Sequence, residues 1–332
     1  MKRIAAIALA FCFVLVGLMS CSKTTAPKAG SAKATDMLSL LPVDSKGAVV
    51  IDVHRIMQTD FAKKSIAENK DKAKYDEFVQ MTGIDPEQDI FFFVGAMMGE
   101  IGQEEPDGAG LVNLKYEKDK VLALVQKEGG ELTQEEYSGL TVYRASTGED
   151  KKPLSFLFLD ESNILLGSDA AVKKVVDVYQ KKADNIWKNE NISALLKGMN
   201  TAAMVWGGFA IPAETMKQAS SQNPMLGAFS DIRSVVLSFD YKDMNLLAEI
   251  KAMSPDPEKN KQMGDALNGF KALGAGAAAQ EPLWGELLNR IEISSAADHV
   301  KIAANLSEEL IRNLGEKMKP KKAEKEPEEN EY

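Results

Sequence analysis

The sequence predicts an α+β fold in which antiparallel sheets are covered by helices. Three observations predict it. Short β-branched or aromatic runs recur along the chain, such as 48–53 (AVVIDV) and 89–97 (DIFFFVGAM). Several of these runs come in pairs separated by a few polar residues, as hairpin strands are. Between them lie segments with apolar residues at helical spacing. The order strand, helix, strand pair, helix, strand pair, helix is legible twice, so the chain reads as two degenerate repeats of one unit.

The amino terminus comes first. Lys2 and Arg3 precede an uninterrupted apolar run of 16 residues, 4–19. A cationic start and a short apolar stretch read as a secretory signal, and the run is slightly short for a permanent span. It ends in Leu18-Met19-Ser20-Cys21, which resembles the bacterial lipobox. That resemblance implies removal of residues 1–20 and lipidation of Cys21. It also implies acylation of the new amine and, with Ser22 after the cysteine, an outer-membrane address facing the periplasm. Residues 21–35 (through SKTTAPKAGSAKAT) are small and polar, and they read as a flexible tether. Residues 319–332 (KPKKAEKEPEENEY) are almost wholly charged and read as a disordered tail.

Composition limits the partners. Without residues 1–20 the chain carries 38 Lys+Arg against 49 Asp+Glu, a balance of −11. An acidic surface gains nothing from counterion release, so no nucleic acid is expected as a partner. Cys12 leaves with residues 1–20 and Cys21 is taken by the lipid, so no internal disulfide is expected. Stability must then come from apolar burial, for which roughly 300 residues suffice.

The first half, 36–198, opens with the strand at 48–53 and continues through strands at 89–97 and 110–116, a helix at 118–127 and a strand at 140–145. A hairpin of 154–159 with 163–167 follows. Ser168 reads as the N-cap of a helix with Val172, Val175, Val176 and Tyr179 on its inner face. The second half, 199–318, reads as a strand at 203–206, a helix entered near Pro212, a hairpin of 234–240 with 246–253, and a helix at 257–273. It closes with strands at 290–294 and 300–306 and a helix from 307 to about Met318. Residues 48–57 play the role of 204–216, and 163–174 that of 299–309. The seam between the repeats is expected near 196–201.

Leu40-Leu41-Pro42-Val43-Asp44 before the first strand and Gly83-Ile84-Asp85-Pro86-Glu87-Gln88-Asp89 before the second resemble bacterial envelope lipoproteins of a domain-of-unknown-function class. The resemblance implies the architecture over most of 36–318 and implies no activity.

The chain has no Gly-x-Ser-x-Gly elbow, no His-Glu-x-x-His, no cysteine cluster and no phosphate-binding glycine loop. No catalytic residue, cofactor or metal is therefore expected. Asp52 and His54, two apart in an extended segment, form the one polar pair of interest, since an Asp can orient an imidazole. His299 lies beside Asp298 in an expected turn. Trp187, Trp206 and Trp284 read as core or partly buried positions, and the many methionines as core filling. The leading expectation is a lipid-anchored envelope protein whose body is a non-enzymatic binding or structural module with an envelope partner. Two alternatives stand beside it. One is a carrier in which two sheets enclose a cavity for a lipid or other apolar ligand. The other is an enzyme of unrecognised type.

Overall fold

The strands of the first and second halves join into one twelve-stranded antiparallel sheet. This computed structural model describes residues 29–68, 72–99, 107–129, 131–146, 154–278 and 281–318. The expected signal peptide, Cys21 and the expected tail lie outside the described residues. In chain order the strands are β1 (Gly47–Asp52), β2 (Ile90–Met97), β3 (Gly108–Leu114), β4 (Leu132–Tyr137), β5 (Leu140–Ala145) and β6 (Leu154–Asp160). They continue with β7 (Asn163–Gly167), β8 (Val205–Ala210), β9 (Ser234–Lys242), β10 (Asn245–Met253), β11 (Ile291–Ser295) and β12 (Val300–Ser307). Across the sheet the order is β11-β12-β10-β9-β8-β1-β2-β3-β7-β6-β5-β4.

Reading outward from the central β1–β8 pair gives β1, β2, β3, β7, β6 on one side and β8, β9, β10, β12, β11 on the other. The two halves thus follow one rule of succession, although the β4–β5 hairpin has no counterpart. The expected seam at 196–201 falls in the passage from α-helix to β8. The carrier reading had two sheets enclosing a cavity. Direct pairing of β1 with β8, from Gly47↔Phe209 to Ile51↔Val205, removes the gap between them.

Alternation along the strands sorts the side chains to two faces. One row of the front face runs Trp206, Val50, Val94, Leu111, Leu165 and Leu157 across adjacent strands, and all six are buried. Three helices cover it: α1 (Ala29–Leu38), α7 (Asp169–Tyr179) and α8 (Glu190–Lys197). Beyond β8 the same row continues as Ser238, Glu249, Ala303 and Glu292, the pattern of a face turned to water. Glu249 pairs there with Lys251 at 3.0 Å.

The back face is apolar on both sides of the seam but unevenly covered. Over the first half, α2 (Val53–Met57), α3 (Asp60–Glu68), α4 (Lys72–Thr82), the short α5 (Pro86–Asp89) and α6 (Lys118–Gly129) surround a cluster including Ile56, Met57, Ala62, Val112, Leu114 and Ile164. Over the second half lie α9 (Ala213–Gln222), a 3-10 segment Pro224–Phe229, α10 (Pro257–Ala277), α11 (Pro282–Asn289) and α12 (Glu308–Met318). There, among the described residues, Ile232, Met263 and Val300 form a small buried cluster. Leu237, Phe239, Ala248, Ile250, Ile302 and Ala304, all on the back face, are half-buried.

Local chemistry accounts for most boundaries. Ser168 caps α7 by accepting from the Ala171 N–H at 3.2 Å, and Ala171, Val172, Val175, Val176 and Val178 are buried beneath it. Tyr179, expected on that inner face, is 39 % exposed, because the valine stripe already fills the contact and the helix ends there. The β9–β10 hairpin turns on Asp243 and Met244, both at positive φ (50° and 62°), the two-residue geometry that matches strand twist.

Besides the helices α3, α4 and α8, for which no element is expected, four further stretches differ from expectation. The residues expected as tether include α1, whose Ala34, Met37 and Leu38 are buried with Leu41 at helical spacing. Small Ala, Gly and Ser residues gave that helix the composition of a linker. Strand β4 is too polar (LTQEEY) to be read as one, yet Ser138 and Gly139, both at positive φ, fold it onto β5. The strand expected at 203–206 begins at Val205 and runs to Ala210 through Gly207 and Gly208, residues poor in strand propensity. Helix α11 lies between the expected helix at 257–273 and the expected strand at 290–294, where no element is expected.

Candidate functional site

Asp52 ends β1 and begins α2. Its N–H donates to the Met204 carbonyl at 2.7 Å, continuing the β1–β8 ladder, and its side chain accepts from the Arg55 N–H at 2.9 Å. The carboxylate is therefore spent on capping a helix. Only 9 % of the residue is exposed. Burial raises its pKa above the usual carboxylate value, opposed by the Arg55 hydrogen bond and by the charges of Arg55 and His54. The chain turns helical at Val53, so the two-residue spacing of Asp52 and His54 does not act as it would in a strand. Among the described residues His54 Nδ1 is buried without a hydrogen-bond partner, and its ring lies against Phe91 at 5.8 Å. No Asp–imidazole hydrogen bond joins the pair.

Arg55 has a role that no local pattern signals. Its Nη1 donates to the Ala202 carbonyl at 2.7 Å, and its Nη2 to Asp240 Oδ1 at 3.2 Å. One guanidinium thereby ties the end of β1 to the β8 entry and to β9, across the seam. The geometry is that of a clamp. His299 Nδ1 lies 2.8 Å from Asp298 Oδ1 in the β11–β12 turn, as the sequence placed it.

A second polar cluster sits on the front face. Arg144 Nη2 meets Glu135 and Asp169, each at 2.6 Å, and Lys173 Nζ meets the same carboxylates at 2.6 and 2.9 Å. Hydrogen bonds from these cations hold Glu135 below its ordinary pKa. Those bonds also outweigh burial at Asp169, which is lowered too. Alternating charges joined this way fix α7 to the β4–β5 hairpin. Among the described residues no group of three His, Cys, Asp or Glu is arranged to hold a metal ion.

Two concavities open on the surface. One, of about 460 Å³, is lined by Lys64, Met244, Glu308, Glu309, Arg312 and Asn313. The other, of about 210 Å³, is lined by Glu131, Thr133, Arg144 and Ser146. Apart from Met244 the lining residues carry polar or charged side chains, and neither concavity includes Asp52 or His54.

The apolar features lie elsewhere. Asp256 caps α10 and Pro257 occupies its first turn, a firm start for a helix about 31 Å long. Its early turns are anchored by Asn260, Met263 and Gly264, all buried, whereas Phe270 and Leu273 further along are exposed, Leu273 by 73 %. Phe270 stacks on Phe229 with ring centroids 6.5 Å apart. Trp284 on α11 is also exposed. The other tryptophans behave as expected: Trp206 is buried, and Trp187 donates Nε1 to Ser39 Oγ at 2.9 Å. Periodicity indicated that α10 has an apolar stripe; it carried no signal of which part of the stripe a neighbour covers.

Among the described residues no helix is long and apolar enough to cross a membrane. No curated protein matches the chain. Among solved structures it is similar to TP0453, a Treponema lipoprotein. Crystal form III gives a TM-score of 0.44 at 10% identity, covering 85% of this chain and 98% of that one. Crystal form I gives 0.45 at 9% identity, covering 84% and 96%. A likeness so distant carries no functional information. Residues 112–298 match the family described as proteins of unknown function, DUF3352, a stretch that starts beyond both motifs on which the sequence resemblance rested. The chain belongs to the DUF3352 family.

Proposed function

We propose that this protein is a lipid-anchored component of a bacterial cell envelope, sorted to the outer membrane and facing the periplasm, whose body is a non-enzymatic binding or structural module. The cationic start, the 4–19 apolar run and Leu18-Met19-Ser20-Cys21 support the anchor on Cys21. The observation that carries the binding role is the apolar surface of α10 and α11, where Phe270, Leu273 and Trp284 stand exposed on neighbouring helices. Asp52 caps a helix instead of orienting His54, which favours this reading over an enzyme. In the same reading the body is two degenerate copies of one unit, which the matching strand succession on either side of β1–β8 supports.

Mass spectrometry of the mature amino-terminal peptide, with in-cell crosslinking from α10, tests both parts. The expected result is an acylated peptide starting at Cys21 and reproducible crosslinks to an envelope component. An unmodified peptide that retains residues 1–20 rejects the anchor. No turnover of ester, phosphate or peptide substrates is expected from the purified protein, and a reproducible activity that is lost in Asp52→Asn or His54→Ala rejects the non-enzymatic reading.

A further inference from the structure

We infer that the α10–α11 corner is a bilayer-contact surface, with Phe270, Leu273 and Trp284 resting at the headgroup boundary of the membrane that carries the Cys21 lipid. The inference rests on the anchor proposed above. Its first support is reach. Helix α1 runs from Ala29 and packs into the front core from Ala34 onward. Eight residue steps separate Cys21 from Ala29, at most about 28 Å of chain. A body of this size has a radius of gyration near 19 Å. A tether hardly longer than the body's own radius keeps some flank of the body against the bilayer.

Chemistry selects the flank. The chain is acidic, at −9 overall and −11 without residues 1–20, so a broad electrostatic attraction to anionic headgroups is absent. The contact must then be apolar. The α10–α11 corner combines a protruding leucine with two aromatic residues, one of them an indole, whose apolar body and polar N–H suit the headgroup boundary. The front face of β9–β12 is polar and unsuited to that role. Three side chains alone bind a bilayer only marginally. A lipid on the same chain supplies the second signal and the high effective concentration that make weak docking persistent.

The test uses the full-length acylated protein, purified from bacterial membranes and reconstituted in phosphatidylcholine vesicles with or without phosphatidylglycerol. A nitroxide is attached to Leu273→Cys and, separately, to Asn305→Cys, an exposed position on the opposite face of the sheet. Flotation reads the anchor; oxygen against nickel-chelate accessibility reads immersion. The expected result is an immersed label at position 273 and a water-exposed label at 305, unaffected by salt or phosphatidylglycerol. A neighbouring Leu273→Asp change, read through a label at position 270 (Phe270→Cys), should lower the docked-to-free ratio roughly tenfold. Protein that floats with both labels in water overturns the contact while leaving the anchor intact. A label at 273 that is shielded only at high protein density, with spin–spin broadening, overturns it in favour of a second copy. Protein that fails to float removes the anchor and the contact together.

Discussion

Gly207→Ala tests whether the two halves are held by close main-chain approach at the seam. Gly207 lies in the middle of β8, opposite Val49 of β1. A Cβ placed there lies 2.7 Å from the Ala48 carbonyl oxygen, 3.0 Å from Val49 Cα and 3.2 Å from Val49 Cβ. Two of these are backbone atoms, and β1 is hydrogen-bonded on its other side to β2, so they cannot swing aside. Relief requires β1 and β8 to part by several tenths of an ångström along a buried front row containing Val50 and Trp206. Overpacking of this kind costs about 1–3 kcal/mol, and the rigid partners place it at the upper end. For a body near 290 residues that corresponds to a Tm lower by about 5 °C. Gly269→Ala in α10 is the control, since a Cβ there meets nothing within 4 Å. The same methyl should raise stability by about 0.5–1 kcal/mol through helix entropy. Circular dichroism melts of the full-length protein read both. A Gly207→Ala protein melting at or above the parent, or a Gly269→Ala protein falling as far, refutes the reasoning.

Other predictions follow from single contacts. Met244 holds φ of 62° in the β9–β10 turn and is 61 % exposed, so Met244→Gly should raise the unfolding free energy by about 1 kcal/mol, read as a higher urea midpoint with an unchanged m-value. Glu135 and Asp169 have folded pKa values depressed from 4.5 and 3.8, so their ion pairs stabilise the fold above those values and lose that effect as pH falls through the lowered ones. Lys173→Met should therefore destabilise at pH 7, and its gap from the parent should narrow on acidification; a gap constant with pH contradicts the network's role. Asp52 has its folded value raised from 3.8, so its charge costs stability as pH rises through that window and the cost is complete at neutrality. Asp52→Asn keeps a capping acceptor without the charge and should be no less stable than the parent at pH 7, while Asp52→Ala should lose about 1 kcal/mol. Equal melting of the Asn and Ala variants would show that the cap contributes nothing.

The fold was legible wherever a local pattern decided it. The β2 run, the β6–β7 and β9–β10 hairpins, the Ser168 cap and the Pro257 entry all follow from neighbours in sequence. Strand β4 and helix α1 were hidden for opposite reasons: one is too polar for a strand, the other too small in its side chains for a helix. The candidate site was less accessible. Asp52 and His54 were visible as a pair, yet the helix starting at Val53 broke the geometry that made them interesting, and Arg55 acquired its role from Asp240, 185 residues away.

What the sequence determined by itself is the alternation that makes β9–β12 polar on one face and apolar on the other, because that period belongs to each strand alone. It also holds the basic start, the apolar run and the cysteine that propose an address. Only the tertiary structure decided that β1 lies beside β8, that one sheet forms instead of two, and that the end of α10 stands uncovered. The β1–β8 pairing joins residues more than 150 positions apart, and the cover of α10 comes from segments tens of positions away; a local pattern contains no term for either.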